Sequence, residues 1–447
     1  MKRQLKRSKK VKGTITVPGD KSIAQRAALF SILSSGPITV TNFPDGADCR
    51  NALKAAEQLG VKVEQTDDRL KLSPPENNTL PGQATVDCGN SGTTARLLSG
   101  IAAGSNIELT LIGDESLSLR PMKRVIEPLT EMGAEFFSEN GSLPLKIRGK
   151  KLLPFEYKLP VASAQVKSAL LLAGLASHCS VVIREDSFTR DHTERMLAEI
   201  GEGIETRKIK ALPVENPDDP RKKKMVMPES FKYEAKLSAR AAINGGEINI
   251  PGDISTASFF MTAAAITRGS VTIENIGLNP TRTAFLDHLK LIGCEVNISD
   301  KETISGEPRG TVTLSGAKLK PRKISGNTTV GLIDEIPLVA ILAAFTEGTT
   351  VIRDAAELKV KESDRLEAIH HNLNFIGAKC GLLDDGLAIE GGRELSGADF
   401  AGFGDHRIVM AFSIAALSLA GPSTIDDDSP AAVSCPDFYE ILESIIK

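Results

Sequence analysis

The segment Val17-Pro-Gly-Asp-Lys-Ser-Ile-Ala-Gln-Arg-Ala-Ala-Leu-Phe30 contains a turn that is followed at once by an apolar, alanine-rich helix. The Pro-Gly pair favours a turn, and Asp20 is a good N-cap for the helix. The start of a helix offers free backbone N–H groups and the positive end of its dipole, and Lys21 and Arg26 add two cationic side chains. The segment therefore predicts either an anion-binding helix start or an ordinary capped helix with a solvated lysine.

The turn at the start of this segment occurs twice. Pro251-Gly252-Asp253 repeats Pro18-Gly19-Asp20 at an offset of 233 residues (251 minus 18). At the same offset, Gly269-Ser-Val-Thr-Ile-Glu-Asn275 matches Gly36-Pro-Ile-Thr-Val-Thr-Asn42 without a gap. A fixed offset between similar segments indicates a duplicated structure, so we predict two similar halves.

Glycines at the ends of amphipathic helices predict smaller units within each half. A helix, a glycine suited to the C′ position and a short strand follow one another at Gly60, Gly133, Gly201, Gly293 and Gly377. Alanine-rich helices that are apolar on nearly all sides alternate with them and should be buried. The pattern predicts an α/β (α+β) fold of two similar domains, each built from about three β-α-β-α-β-β units.

We expect the chain to cross between the two domains near the two Pro-Gly-Asp turns. Residues 1–19 and 248–447 then form one discontinuous domain, and residues 20–247 form a domain inserted into it. The stretch 205–242, rich in lysine, proline and aspartate, is predicted to be an exposed excursion before the second crossing. The first twelve residues carry seven Lys and Arg and are predicted to be a solvated, frayed tail.

Six buried helices are predicted to begin with capping or charged residues. These starts are Gly19-Asp-Lys-Ser22, Cys88-Gly-Asn-Ser-Gly92, Ser163-Ala-Gln165, Gly252-Asp-Ile-Ser255, Asp334-Glu335 and Gly404-Asp-His-Arg407. Related units that aim such starts at one place would form a polar cleft between the domains, and we expect the functional site there.

Cations are concentrated at helix starts, although the net charge of the chain is -3. They are Lys21, Arg26, Arg120, Arg190, Lys361, Arg365 and Arg407. We expect Pro121 at the N1 position of the helix after Arg120. We also expect Lys361 and Arg365 on one helix face, with Glu362 pointing aside. Solvated charged faces are the alternative, but such clustering suits substrates that carry phosphate and carboxylate groups.

Composition argues against several classes of protein. The chain has 447 residues, of which 41% are hydrophobic and 25% charged, as in ordinary globular domains. The absence of tryptophan, the 4% aromatic content and the negative charge disfavour nucleic-acid binding. Six scattered cysteines without a C-x-x-C pair suit reduced thiols in the cytoplasm, and the longest apolar runs are too short to span a bilayer. No metal site is expected, and Asp20 stands where a P-loop requires glycine.

Six motifs together resemble those of the enolpyruvyl transferases and occur in the order found in that family. They are Pro18-Gly-Asp-Lys-Ser22, Cys88-Gly-Asn-Ser-Gly-Thr-Thr94, Arg120-Pro-Met122, Ser163-Ala-Gln-Val-Lys-Ser168, Lys361-Glu-Ser-Asp-Arg365 and Asp405-His-Arg407. The resemblance runs over nearly the whole chain. It implies an inverse α/β barrel-like fold, in which two domains of three β-α-β-α-β-β repeats are joined by a double-crossover hinge with the active site between them.

Within that family, the chain is most similar to the branch that acts on shikimate 3-phosphate. The resemblance implies transfer of the enolpyruvyl group of phosphoenolpyruvate to the 5-hydroxyl of shikimate 3-phosphate, with release of phosphate. In the family this is the sixth step of the shikimate pathway to chorismate and the aromatic amino acids, and the target of glyphosate. The resemblance further implies that no cofactor is needed and that the protein is a monomer.

The resemblance also assigns roles to residues. Shikimate 3-phosphate is expected to contact Lys21, Ser22, Arg26, Ser163, Gln165, Arg190, Asp334 and Lys361. Phosphoenolpyruvate is expected to contact Lys21, Gly92, Arg120, Gln165, Arg365 and Arg407. Asp334 is the expected base near the 5-hydroxyl, Glu362 with Lys361 forms the expected acid side, and Lys21 completes the catalytic set.

A few positions depart from patterns common in the family. Ala164 stands where some members have a second serine, Ala24-Gln25 replaces Ser-His, and Val433-Ser434-Cys435 lacks a lysine that some members carry before Pro436. Gly92 predicts sensitivity to glyphosate, because members with alanine at this position tend to resist that inhibitor, whereas Ala164 and the segment Arg190-Asp-His-Thr193 resemble the glyphosate-tolerant branch.

Two alternatives stay open. A sister branch of the family transfers the enolpyruvyl group to UDP-N-acetylglucosamine, but it has asparagine where Ser22 stands and uses a loop cysteine as acid, whereas the Arg120 loop has no cysteine. An inactive anion-binding scaffold would need the cations, but it would not need Asp334, Lys361 and Glu362 together.

Overall fold

The computed structural model describes residues 1–8, 10–210, 212–215, 223–226 and 231–447. In these ranges the helices are α1 (Lys21–Phe30), α2 (Ala47–Gln58), α3 (Gly92–Gly104), α4 (Glu115–Leu119), α5 (Lys123–Glu131), α6 (Ala164–Ser177), α7 (His192–Ile200), α8 (Ile254–Ile266), α9 (Ala284–Leu291), α10 (Asn327–Leu332), α11 (Ile336–Ala344), α12 (Arg365–Phe375), α13 (His406–Ala415) and α14 (Phe438–Ile445). Short 3-10 turns lie at Glu76–Asn78, Ala356–Val360, Ala416–Ser418 and Ser429–Val433.

The strands of the same ranges are mostly short. They are β1 (Arg3–Leu5), β2 (Lys12–Ile15), β3 (Ile38–Thr41), β4 (Lys62–Gln65), β5 (Arg69–Ser73), β6 (Gln83–Asp87), β7 (Glu108–Ile112), β8 (Glu135–Phe137), β9 (Leu145–Arg148), β10 (Phe155–Lys158), β11 (Val181–Glu185), β12 (Gly201–Lys208), β13 (Leu212–Glu215), β14 (Lys223–Val226), β15 (Tyr233–Ile243), β16 (Gly246–Asn249), β17 (Ser270–Gly277), β18 (Glu295–Ile304), β19 (Glu307–Ser315), β20 (Lys323–Ile324), β21 (Gly348–Ile352), β22 (Lys379–Leu383), β23 (Gly386–Gly391), β24 (Asp399–Phe400) and β25 (Ser423–Ile425).

Three units are continuous along the chain and share one topology. Their sheets have the orders β6-β7-β9-β8, β10-β11-β15-β12 and β20-β21-β23-β22. In each sheet the first two strands are parallel and the other two pairings are antiparallel. Since helices connect the first strand to the second and the second to the third, each unit is β-α-β-α-β-β, as the sequence predicts.

Two further sheets take their first strand from a distant part of the chain. β16 pairs in parallel with β3 and completes the sheet β16-β3-β5-β4. β2 pairs in parallel with β17 and completes the sheet β2-β17-β19-β18. The remaining unit has a three-stranded sheet, β24-β25-β1, whose last strand comes from the start of the chain. These strand exchanges carry the chain twice between the two halves.

The helix ends match the sequence prediction at four of the five glycines. Gly60, Gly133, Gly293 and Gly377 have φ between 91° and 114°, a region that favours glycine. Gly201 is different, because its backbone is extended with φ −145° and it begins β12 directly. The prediction of a C′ glycine at position 201 is therefore wrong.

Two predictions of exposed, irregular chain are also wrong. Residues 3–5 and 12–15 form β1 and β2, so the start of the chain is not simply a frayed tail. In the stretch 205–242, β12 pairs with β15, and Tyr233, Ala235 and Leu237 are buried. β13 pairs with β14 in antiparallel orientation, and residues 211, 216–222 and 227–230 lie outside the described ranges.

Buried apolar side chains form two clusters. One contains residues from Ile23 to Ile250, and the other contains Val11, Ile15 and Val17 together with residues from Ile254 to Ile445. Aliphatic side chains dominate both clusters, as expected from the low aromatic content. The polar helix starts lie where these two halves meet.

Candidate active site

Six buried helices begin where the sequence predicts them. In five of them the N-cap side chain accepts a hydrogen bond from a backbone N–H of the first turn, at Asp20, Ser91, Ser163, Asp253 and Asp405. The sixth helix, α11, begins after Glu335, whose side chain makes no such bond. Satisfying these N–H groups fixes the polar ends of the buried helices.

The two Pro-Gly-Asp turns bind each other at the crossing between the halves. The backbone N–H of Asp20 donates to the carbonyl oxygen of Pro251 (2.8 Å), and that of Asp253 donates to the carbonyl oxygen of Pro18 (2.9 Å). Arg282 lies between the two carboxylates, 3.3 Å from Asp20 Oδ2 and 3.5 Å from Asp253 Oδ1. The repeated motif therefore has a structural role in joining the halves.

Asp334 brings four of the predicted cations together. Its carboxylate forms an ion pair with Arg190, which belongs to the other half of the chain. Lys361 Nζ and Arg365 Nη1 lie 3.9 Å and 3.8 Å from Oδ1, and Arg407 Nη2 lies 3.9 Å from Oδ2. Arg407 Nη1 also donates to the backbone carbonyl of Asp334 (2.9 Å). Residues that are up to 217 positions apart (407 minus 190) thus converge on one carboxylate.

These cations decide the ionisation of Asp334. Burial by itself would raise the pKa of the carboxyl, but the charges of Arg190, Arg407, Lys361 and Arg365 outweigh it and hold the pKa well below its usual range. Asp334 is therefore a carboxylate at neutral pH.

Glu362 is the second carboxylate of the cluster, and its predicted orientation is wrong. Instead of pointing aside, its Oε2 accepts a hydrogen bond from Arg365 Nη2 (2.6 Å), and its Oε1 lies 3.7 Å from Arg120 Nη1. Arg365 is almost fully buried, and its Nε donates to Asp405 Oδ2 (2.7 Å). Burial opposes ionisation of Glu362, but the charges of Arg365 and Arg120 hold its pKa well below the usual value. Arg365 thus separates two ionised groups, Glu362 and Asp334.

Lys361 does not belong to the helix that the sequence predicts. It follows a 3-10 turn with an extended backbone, and α12 begins only at Arg365, after the N-cap Asp364. Lys361 Nζ lies 3.2 Å from Glu357 Oε1, and Glu357 also lies 3.7 Å from Arg124 Nη1 of the other half. The prediction that Lys361 and Arg365 share one face of a helix is therefore wrong, although both side chains reach Asp334.

Arg120 ends a helix rather than preceding one. It is the C-cap of α4, and α5 begins after Met122, so Pro121 is not at N1 as predicted. Its guanidinium donates to the carbonyl oxygen of Asn90 (3.2 Å) and to Ser116 Oγ (3.1 Å). These bonds fix Arg120 within the first half, and its contact with Glu362 reaches the second half.

Gln165 and Gly92 lie side by side next to a buried arginine that the sequence did not single out. Arg96 Nη1 donates to Gln165 Oε1 (2.8 Å) and to the carbonyl oxygen of Gly92 (3.3 Å). Gln165 Nε2 donates to Thr93 Oγ1 (2.9 Å). Burial, helped by the neighbouring Arg124 and Arg120, lowers the pKa of Arg96 to about 9.

Lys21 and Arg26 lie in the first half with different partners. Lys21 Nζ forms an ion pair with Asp48 Oδ2 (2.9 Å). Arg26 is 3% exposed, and it donates to Thr193 Oγ1 (2.8 Å), Ser168 Oγ (3.0 Å) and the carbonyl oxygen of Ser22 (2.9 Å). Burial lowers the pKa of Arg26 to about 10. Arg26 and Ser22 therefore lie inside the first half, where Arg26 is near enough to Arg190 of the Asp334 cluster for the two charges to interact.

Several residues of the site had no role in the sequence prediction. They are Asp48, Arg96, Glu357, Asp405 and His406. Asp405 and His406 stand inside a motif that the sequence singled out, and Glu357 stands four residues before Lys361, a spacing that often pairs charges. Arg96 stands one helical turn after Gly92, whereas nothing local to Asp48 indicates its partner. Burial and the nearby charge of Lys21 lower the pKa of His406 to about 3, so its imidazole is neutral.

No helix within the described residues is long and apolar enough to cross a membrane. Within the same residues, no group of three or more His, Cys, Asp and Glu side chains is arranged to hold a metal ion.

Comparison with known proteins finds similarity to one family along nearly the whole chain. The family model described as EPSP synthase (3-phosphoshikimate 1-carboxyvinyltransferase) matches residues 5–442. A 3-phosphoshikimate 1-carboxyvinyltransferase of Desulforamulus reducens is 41% identical to this chain, and the alignment covers 98% of both.

Solved structures with similar folds include that of EPSP synthase from Acinetobacter baumannii. It is 35% identical to this chain, has a TM-score of 0.82, and the match covers 100% of this chain and 98% of that one. The enolpyruvyl transferase NikO from Streptomyces tendae has a TM-score of 0.73 at 16% identity, which shows a shared fold. The predicted fold class and the family resemblance are confirmed. The chain belongs to the EPSP synthase (3-phosphoshikimate 1-carboxyvinyltransferase) family.

Proposed function

We propose that this chain transfers the enolpyruvyl group of phosphoenolpyruvate to the 5-hydroxyl of shikimate 3-phosphate and releases phosphate. The observation that carries the proposal is the cluster in which Asp334 and Glu362 lie on either side of Arg365, within a ring of cations drawn from both halves. Two proton-transfer groups and several cations are what the reaction of an alcohol with an anionic enol phosphate requires.

The two substrates would occupy different parts of this cleft. Shikimate 3-phosphate would bind Lys21, Ser22, Arg26, Ser163, Gln165, Arg190, Asp334 and Lys361. Phosphoenolpyruvate would bind Lys21, Gly92, Arg120, Gln165, Arg365 and Arg407. Guanidinium groups match carboxylate and phosphate oxygens in pairs, which suits arginine for both ligands.

The proton transfers follow from the positions of the carboxylates. In the addition step, phosphoenolpyruvate bound to Arg120 and Arg365 would share their charge and raise the pKa of Glu362, so that Glu362, with Lys361 beside it, would supply the proton that the methylene carbon gains. The 5-hydroxyl oxygen then bonds to C2 and loses its proton to Asp334. In the elimination step, a methyl proton returns to a base, the C2–phosphate bond breaks and the double bond re-forms. Exclusion of water protects the cationic character at C2.

Substrate binding would also change the pKa of Asp334, the proposed base. The cations that hold the pKa of Asp334 low in the unliganded site are those proposed to bind substrate anions. When anionic groups share Arg190, Lys361, Arg365 and Arg407, their effect on Asp334 is smaller, so its pKa rises towards the working range of a general base.

The proposal also includes the domain division, the cellular compartment and the oligomeric state of the protein. Residues 1–19 and 248–447 would form one domain and residues 20–247 the other, a division that the two apolar clusters support. All six cysteines are buried and unpaired, which suits the reducing cytoplasm. A monomer is proposed from the resemblance to the family.

Phosphate release from phosphoenolpyruvate, measured with each acceptor, tests the proposal. We expect release with shikimate 3-phosphate and none with UDP-N-acetylglucosamine. Release with the second acceptor alone would assign the chain to the other branch of enolpyruvyl transfer. Binding of shikimate 3-phosphate without any phosphate release would instead indicate an anion-binding scaffold.

A further inference from the structure

A buried polar cluster connects the start of α7 to the second half of the molecule. Asp191 Oδ1 accepts hydrogen bonds from Asn279 Nδ2 (2.7 Å) and from Arg195 Nε (2.9 Å). Asn279 Nδ2 also donates to Glu307 Oε2 (3.1 Å), and Glu307 Oε1 lies 2.7 Å from His192 Nδ1. Asp191, His192, Asn279 and Glu307 are each at most 5% exposed, and we call them the α7 joint.

The two sides of the α7 joint come from different halves. Asp191 and His192 begin α7 in the first half, whereas Asn279 follows β17 and Glu307 begins β19 in the second. The orientation of the Asn279 amide is set by Thr281, whose backbone N–H (2.9 Å) and hydroxyl (2.8 Å) both donate to Asn279 Oδ1. Asn279 Nδ2 is therefore the donor that lies between two buried carboxylates.

That donor has a clear electrostatic function. Two buried carboxylates that share no cation or hydrogen-bond donor repel each other and are costly to desolvate. Asn279 gives a hydrogen bond to both Asp191 and Glu307 and so attaches the start of α7 to the second half, together with the His192–Glu307 contact and the bond from Arg195 Nη1 to the carbonyl oxygen of Gly306 (3.2 Å).

The same turn carries a residue of the proposed substrate site. Arg190 directly precedes Asp191, and its guanidinium forms an ion pair with Asp334 across the cleft. Two positions after Asp191, Thr193 Oγ1 accepts a hydrogen bond from Arg26 Nε (2.8 Å). The α7 joint thus lies directly behind the backbone that presents Arg190, while Asn279 itself contacts neither Arg190 nor Asp334 in the described hydrogen bonds and ion pairs.

We infer that Asn279 is a positioning residue for shikimate 3-phosphate, because its bonds to Asp191 and Glu307 fix the turn that places Arg190 next to Asp334. This inference rests on the proposed function. Ordering Arg190 before the ligand arrives lowers the entropic cost of binding. The residue acts on the 3-phosphoshikimate side of the cleft, so phosphoenolpyruvate should not sense its loss.

The variant Asn279→Ala tests the inference. We expect it to raise the KM for shikimate 3-phosphate about tenfold, because the interaction between neighbouring residues commonly changes an equilibrium constant by about this factor. The KM for phosphoenolpyruvate should stay within about twofold of wild type. If Asn279→Ala does not accumulate as folded protein, Asn279→Ser, which keeps a shorter donor, is measured by the same criteria.

Asn372→Ala is the matched control. Asn372 is also fully buried, and its amide bonds to the backbone of Ala401 (2.8 and 3.1 Å) entirely within the second half. Both variants should lose thermal stability, but only Asn279→Ala should change the KM for shikimate 3-phosphate. A merely structural role of Asn279 would instead make the two variants behave alike.

A double-mutant cycle identifies Arg190 as the intermediary. Adding Asn279→Ala to Arg190→Ala should change the KM for shikimate 3-phosphate by less than about twofold, because the guanidinium to be positioned is gone. Independent, multiplicative effects would overturn the inference, and so would an unchanged KM in folded Asn279→Ala. If the wild-type protein releases no phosphate with shikimate 3-phosphate, the proposed function fails; if it does so and the cycle is multiplicative, only the inference fails.

Discussion

Asp334 and Glu362 lie on opposite sides of Arg365, with Arg365 Nη1 3.8 Å from Asp334 Oδ1 and Arg365 Nη2 2.6 Å from Glu362 Oε2. Because a positioned acid or base contributes about 10²- to 10⁴-fold, we expect Asp334→Asn and Glu362→Gln each to lower kcat by such a factor. Single-turnover and steady-state rates check this, with circular dichroism as the control for folding. A loss below tenfold in either variant would remove that residue from proton transfer.

The pH dependence of stability follows from the lowered pKa of Asp334. A carboxyl whose pKa is lower in the folded state stabilises the fold fully above its unfolded pKa of about 3.9, and this contribution is lost as the pH falls through the folded value. At pH 7 we therefore expect Asp334→Asn to unfold at a lower temperature than wild type. Below about pH 4 the difference in Tm should shrink. A difference that stays constant from pH 7 to pH 3 would contradict the charge argument.

Gly92 lies too close to the guanidinium of Arg96 to carry a methyl group freely, whereas the guanidinium of Arg120 lies at an ordinary contact distance. A Cβ there would lie 2.6 Å from Arg96 Nη1 and 3.6 Å from Arg120 Nη1. We expect Gly92→Ala to raise the KM for phosphoenolpyruvate about tenfold, as the cost of displacing Arg96 is about 1–3 kcal/mol. Glyphosate is longer than phosphoenolpyruvate, so its inhibition constant should rise further. Inhibition assays on both proteins check this, and a wild-type enzyme unaffected by millimolar glyphosate would show that Gly92 does not confer sensitivity.

At the level of residues, the sequence predicts the cations of the site better than their partners. Arg365 and Arg407 could be singled out because they stand at helix starts, and Lys361 because it belongs to the same motif as Arg365. Asp48, the partner of Lys21, could not, because the contact joins two helices and depends on their packing. Arg96 was missed for a similar reason, since its three acceptors lie on separate segments.

At the level of elements, the two Pro-Gly-Asp turns offer a matched comparison. A Cβ at Gly19 would lie 2.1 Å from the carbonyl oxygen of Asn42, whereas a Cβ at Gly252 would lie no closer than 3.1 Å to any neighbouring atom. We expect Gly19→Ala to lower the free energy of unfolding by about 3 kcal/mol and Gly252→Ala by about 1 kcal/mol. Denaturant unfolding of both variants measures the difference. Equal losses would mean that the backbone at Gly19 relaxes without cost.

Local signals predicted helix starts well and failed where no local signal exists. N-caps such as Asp20, Ser91 and Asp405 act within one turn of chain, so the sequence can reveal them. The extended backbone at Lys361 is indicated by no such signal. The spacing of four residues between Lys361 and Arg365 predicts that both lie on one helix, but this helix begins only at Arg365. A spacing of four residues indicates a shared face only when the intervening backbone is helical.

At the level of the whole molecule, the sequence predicts the duplication of the chain, but it does not predict the exchange of strands between distant parts of the chain. The 233-residue offset and the glycines predicted the β-α-β-α-β-β units, because each unit repeats local patterns. The pairing of β1 with β25 brings residues 3–5 against residues 423–425. Since strand partners so far apart leave no local pattern in the sequence, the start of the chain was mistaken for a frayed tail.

The crossing between the halves at the two Pro-Gly-Asp turns depends on Arg282. Its guanidinium lies 3.3 Å from Asp20 Oδ2 and 3.5 Å from Asp253 Oδ1, and it donates a hydrogen bond to Ser255 Oγ (2.8 Å). Arg282→Met would leave two buried carboxylates without their cation, and we expect it to lower the free energy of unfolding by about 3–5 kcal/mol. Arg148→Met is the control, because Arg148 is half exposed and its ion pairs should contribute less than about 1 kcal/mol.

Adding Asp20→Asn separates the charge from the packing of Arg282. Asparagine still caps α1 and removes one unpaired carboxylate, so the double variant should recover part of the stability lost in Arg282→Met. Thermal and denaturant unfolding of the four proteins measure this recovery. If Asp20→Asn instead adds to the loss, the carboxylates are not the source of the cost, and Arg282 stabilises the crossing mainly by filling space between the two halves.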